Sequence, residues 1–88
     1  MSDLEYDVLD ELYFVQPYNQ LRDNLSWDDD MLRETLIKLF NKGWIRCYNT
    51  PSEEIFRSEV DLETSFRQYF YLASKEGLFA HNSIERDE

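Results

Sequence analysis

The spacing of apolar positions opens the chain on a helix. Leu4, Val8, Leu9, Leu12 and Tyr13 recur at helical intervals over residues 3–14, with Asp7, Asp10 and Glu11 between them. That period gathers the apolar set on one face. Ser2 or Asp3 is placed to cap this helix, and Glu5 falls in its first turn, where a negative charge suits the helix dipole. Pro17 ends the pattern. Proline is tolerated at a first helical position, so a short second helix is expected over 17–24, with Tyr18, Leu21 and Leu25 as its apolar set.

A third helix follows. Ser26-Trp27-Asp28-Asp29 reads as a capping box, with Asp where Glu or Gln is commoner. Leu32, Leu36, Leu39 and Phe40 then form a buried stripe that runs to Asn41 or Lys42. Gly43 supplies the stop. With that stripe inward, Asp30, Met31, Glu34, Thr35, Lys38, Asn41 and Lys42 are expected to point outward.

Beyond Gly43 the period changes. Trp44–Asn49 alternates as a strand, Ile45 and Cys47 on one side and Trp44, Arg46 and Tyr48 on the other. Thr50-Pro51-Ser52 breaks it. Residues 68–73 form a second strand of high β-propensity. The two make a hairpin with a long connection, 51–67. Ile55, Phe56, Val60, Leu62 and Phe66 make that connection too apolar for a free loop, so part of it is expected to be helical or to add a strand. After Ser74-Lys75-Glu76-Gly77, the residues Leu78, Phe79 and Ile84 are expected to lay a helical turn or two on the body. These elements predict a single domain over 1–84, with 85–88 a frayed end.

Leu25-Ser26, then Leu32, Leu36 and Leu39, then Asn41-Lys42-Gly43-Trp44-Ile45 resembles the winged helix-turn-helix superfamily of transcription-regulator-like domains. In that pattern a capped recognition helix ends on a basic residue and Gly before entering the wing. Phe70-Tyr71-Leu72-Ala73-Ser74-Lys75-Glu76-Gly77 looks like the second wing strand and its continuation, although Ala73 and Ser74 replace the usual residues. The resemblance covers about residues 4–77. It implies an α+β, mainly α fold with a two- or three-stranded antiparallel wing. Fold alone assigns no activity, because winged helices serve both as DNA-binding regulators and as protein-interaction modules.

Charge separates those two roles. The 88 residues carry a formal charge of −10. Residues 1–30 hold nine acids and one base, residues 31–50 four bases and one acid, and residues 51–88 nine acids and four bases. Lys and Arg contacts to phosphate supply most non-specific nucleic-acid affinity, so an acidic surface opposes it. A nucleic-acid face would have to come from Arg33, Thr35, Lys38, Lys42 and Arg46. The end of the third helix that would enter the major groove carries Asp28, Asp29 and Asp30, with Glu34 a turn later. Those four form a candidate acidic partner face. The bland reading beside it is that the Asp run caps the helix and is solvated.

Catalytic patterns are lacking in the sequence. Cys47 and His81 are the only residues of their kinds, too few for an ordinary zinc site. A nucleophilic dyad would require them to meet, and the alternation with Ile45 marks Cys47 as a buried thiol. Consecutive aspartates on a helix point about 100° apart, which disfavours a shared Mg²⁺. Gly43 and Gly77 are too far apart for a phosphate loop. A lone cysteine, no apolar run of bilayer length and no signal-like start together predict a cytoplasmic protein without disulfide or membrane segment.

The sequence therefore favours a non-catalytic winged-helix module, with no cofactor or metal. It is expected to be an interaction or regulatory adaptor with an acidic surface, engaging a protein partner or a second copy of itself. The alternative is a DNA-binding regulator acting as a dimer through helix 28–42 and the wing.

Overall fold

A computed structural model describes residues 1–83; Ile84 and the expected frayed end at 85–88 lie outside the described residues. Ser2 starts the first helix through a reciprocal pair of bonds. Its hydroxyl accepts from the Glu5 N–H at 3.1 Å, and the Glu5 carboxylate accepts from the Ser2 N–H at 2.9 Å. This capping box fixes α1 as Asp3–Glu11, ending short of Tyr13 and Phe14. Val8, Leu9 and Leu12 are buried as the spacing predicts. Leu4 and Tyr13, expected on the same stripe, are exposed instead, and Glu5 occupies the buried face in their place. The carboxylate is tolerated there because a cation reaches it, as described below.

Pro17 corrects a second expectation. It does not open the next helix but precedes it, in extended conformation, as the last residue of a two-residue strand β1, Gln16–Pro17. Helix α2 is Tyr18–Leu25. As an edge residue, Pro17 can lack an N–H without breaking a ladder. Ser26 adopts the left-handed conformation, φ 59°, and terminates α2. It is therefore not the cap of the third helix. That role belongs to Asp28, whose side chain accepts the Met31 N–H at 2.8 Å. Helix α3 spans Asp29–Asn41 and buries Leu32, Leu36 and Leu39 fully, with Phe40 half-buried.

Gly43 takes φ +77°, which only glycine adopts at low cost. The turn directs Trp44 N–H back to the Leu39 carbonyl and sends the chain into strand β2, Ile45–Thr50. Strand β3, Glu53–Glu54, folds back on β2 with a bulge between Tyr48 and Thr50. Strand β4, Phe70–Ala73, pairs antiparallel with β2, Cys47 opposite Tyr71. Its other edge takes β1, Gln16 opposite Tyr71. The sheet order is β1-β4-β2-β3, so β4 is interior and the sheet has four strands rather than the two or three expected. The 51–67 connection holds β3 and 3-10 turns at Arg57–Glu59 and Phe66–Gln68. Both expected forms, a strand and helical turns, occur there in short pieces.

Helix α4, Lys75–Ser83, is longer than the turn or two expected. The Ser74 hydroxyl accepts from the Gly77 N–H and donates to the Gly43 carbonyl, tying the start of α4 to the α3–β2 turn. A Cβ on Gly77 would lie 2.1 Å from the Trp44 carbonyl oxygen, so this approach excludes any side chain.

The result is an α+β fold of four helices and one antiparallel sheet. Its core joins Val8 and Leu9 of α1, and Leu12 at its C-terminal cap, to Leu21, Leu32, Leu36, Leu39, Ile45 and Tyr71. Tyr71 is fully buried and donates its hydroxyl to the Phe66 carbonyl at 2.6 Å, which satisfies the one polar atom it brings inside. No helix among the described residues is long and apolar enough to cross a membrane.

Candidate functional site

The acidic start of α3 is used by the fold residue by residue. Asp28 caps. Asp30 meets Arg33 at 3.2 Å across one helical turn. Asp29, one residue inside the cap, gathers three donors: the Tyr18 hydroxyl at 2.7 Å, Arg22 Nε at 2.9 Å and Arg67 Nη2 at 3.0 Å. The Tyr18 hydrogen bond and that of Arg67, with the charges of Arg22 and Arg67, hold the Asp29 carboxyl below the usual carboxylate range against a smaller opposing effect of desolvation. Burial, with the Asp29 bond and charge behind it, pushes the Tyr18 phenol up. Beneath this group lies Phe66, with the Arg67 guanidinium 4.6 Å and the Arg33 guanidinium 5.5 Å from its ring centroid. Tyr18 meets the same ring edge-on. Of the acidic set, Glu34 alone is exposed without a hydrogen bond or ion pair among the described residues.

The basic set does not assemble into a strip. Thr35, expected outward, is buried, and its hydroxyl donates to the Met31 carbonyl at 2.9 Å. It sits at the margin of the Leu32–Leu36–Leu39 arc, where a back-bonded hydroxyl needs no water. Lys42 is also drawn inward. Its Nζ lies 2.6 Å from Glu5 Oε2 and 4.7 Å from the centroid of the Trp44 ring. Burial alone would raise the Glu5 carboxyl, but hydrogen bonds from Lys42 and Ser2 and the Lys42 charge bring it net below the usual range. Arg46 faces Glu54 at 3.6 Å across the β2–β3 pair. Lys38 is exposed and has no such partner among the described residues.

Cys47 and His81 occupy separate settings. The Cys47 thiol is buried and pushed up to about 12 by desolvation, with Arg57 opposing and Glu54 adding to the shift. His81 is buried against α1. Its ring stacks on Tyr6 at 4.1 Å, and Nδ1 lies 2.7 Å from the Tyr13 hydroxyl. Tyr13 donates its single hydroxyl proton to Asn82 Oδ1 at 2.9 Å. Nε2 is left without a hydrogen-bond partner, 3.4 Å from Asp10 Oδ1. Among the described residues no three His, Cys, Asp or Glu side chains are grouped to hold a metal ion.

Sequence reasoning singled out Asp29 but missed Tyr18, Arg22 and Arg67 around it. It also missed Glu5 as the partner of Lys42. The sequence pointed to Glu5 only as a first-turn charge suited to the helix dipole. No protein-family model, no curated protein and no solved structure matches the chain.

Proposed function

We propose that this chain is a winged-helix domain acting as a non-catalytic protein-interaction module with an acidic surface. The element order supports the winged-helix reading. A helix, a short strand, the α2–α3 pair and a β2–β4 hairpin follow one another, and β1 closes onto β4. This is the order in which a helix-turn-helix carries a wing.

One observation carries the choice of interaction over DNA binding. Of the four cations available to a recognition helix and wing, three already face carboxylates of the same chain: Arg33 with Asp30, Lys42 with Glu5 and Arg46 with Glu54. Only Lys38 is left to meet a phosphate. Each phosphate contact would require an internal pair to be given up, on a chain whose net charge already repels DNA. A catalytic role has no support in the geometry, because the thiol and the imidazole sit in different parts of the fold with different partners.

Fluorescence anisotropy of labelled duplex DNA at low salt tests the reading. No saturable binding is expected. Binding that weakens steeply as salt is added, and that is lost in Lys38→Ala, would overturn it in favour of the regulator.

A further inference from the structure

We infer that residues 55–60 form a strap over the C-terminal end of α3, held shut by Arg57 and able to open while the rest of the fold stays intact.

Arg57 grips one residue of α3 twice. Its guanidinium lies 4.1 Å from the centroid of the Phe40 ring, and its Nη2 donates to the Phe40 carbonyl. That carbonyl belongs to the last turn of α3, where a cation suits the helix dipole. Little else holds the middle of the segment. Residues 56–59 are exposed, Phe56 at 79%. The Glu59 and Val60 N–H groups donate to the Phe56 and Arg57 carbonyls, within the segment itself. Attachments to the body stand at its two ends. Ile55 N–H donates to the Cys47 carbonyl at 2.9 Å, next to the β2–β3 pairing. Asp61 N–H donates to the Tyr69 hydroxyl at 2.9 Å, beside the buried Leu62. A segment with few buried apolar contacts and exposed backbone bonds opens at a fraction of the global free energy. Here the two ends act as hinges, and one side chain between them acts as the latch.

The packing under the strap supports this. A cleft of about 270 Å³ lies between Ile37 and Phe40 of α3 and Val60 and Leu62 of the connection. A second, of about 210 Å³, is lined by Phe40, Ile45, Cys47, Ile55 and Arg57 among others. Phe40 lines both clefts, and it is the residue that Arg57 grips. The contact of the strap with the body is therefore loosely filled on either side of the latch. Lifting Ile55 and Arg57 removes one wall of the second cleft, whose lining includes Cys47.

Cys47 reports the opening, because it is the only cysteine and is buried while the strap is down. The full chain, as wild type and as Arg57→Ala, is reacted with a disulfide reagent at neutral pH without urea, and urea unfolding is measured in parallel. Arg57→Ala is expected to label at least about fivefold faster, with an unfolding midpoint close to that of wild type. The charge of Arg57 favours the Cys47 thiolate, so its loss by itself would slow the reaction, and acceleration reports access. Glu59→Ala, in the same exposed turn but away from the latch, is expected to match wild type. Unchanged labelling in Arg57→Ala overturns the latch, as does equal acceleration by Glu59→Ala. Acceleration no greater than the rise in the unfolding constant overturns the strap, because the thiol is then reached by global unfolding.

Discussion

Lys42 Nζ lies 2.6 Å from Glu5 Oε2, and the carboxylate it meets is 5% exposed. The pair joins the end of α3 to the start of α1, and Trp44 lies under the ammonium. Glu5 also closes the capping box with Ser2, so one side chain holds a helix start and a helix–helix contact together. Lys42→Met leaves that charge buried and unanswered. The expected loss is about 2 kcal/mol, less than for a fully enclosed pair because the lysine is partly solvated. Glu5→Gln/Lys42→Met keeps a cap acceptor without the orphan charge and is expected to be more stable than Lys42→Met alone. Urea denaturation of the three proteins decides it.

The same pair sets a response to acid. Glu5 is held below its ordinary value of 4.5 in the folded chain. A carboxyl lowered on folding contributes stability that is present above the unfolded pKa and is lost as pH falls through the folded one. The stability gap between wild type and Glu5→Gln should therefore be present at neutral pH and close on acidification below about pH 4. A gap that is unchanged across this range by chemical denaturation would refute the assignment.

Gly77→Ala reverses a familiar sign. In an open helix the change stabilises, by about 1 kcal/mol. In α4 the new methyl would fall 2.1 Å from the Trp44 carbonyl oxygen, a backbone atom that cannot rotate away. A loss of about 3 kcal/mol is expected, with a visibly lowered melting temperature by circular dichroism.

Cys47 should be inert in the folded state. Its thiol is buried beside Tyr71 on the paired strand and pushed up to about 12, so little thiolate forms. Modification by a disulfide reagent in mild base is expected to be at least about a hundredfold slower than in denaturant. Rapid reaction of the native protein would show that β2 opens to solvent.

The legible parts of the fold were those with a sustained period. Leu32, Leu36 and Leu39 gave α3, and the alternation of Ile45 and Cys47 gave the buried side of β2. β1 was invisible because Gln16 and Pro17 are too few to show alternation, and they pair only through β4. The placement of Glu5 could not be read because its cation is 37 residues away. Arg67 stands 38 residues from Asp29 in the same way. Local pattern names the polar residues at a helix start, but which of them are spent inside the fold depends on partners brought in by tertiary packing. Thr35 was misplaced for a smaller reason: it sits at the margin of a buried arc, where one hydroxyl bond decides the side.

The Tyr13–His81 bond spans 68 positions, and β4 receives the Leu12 carbonyl at Ala73 while pairing with Gln16 and Pro17. The first and fourth helices thus complete each other, and β4, one of the two interior strands of the sheet, follows α1–α3 in the chain. A nascent polypeptide emerging from the ribosome would hold α1–α3 without the surface that covers them until β4 and α4 follow. Closing the core thus waits on pairings between residues far apart in sequence, the kind of contact that slows folding.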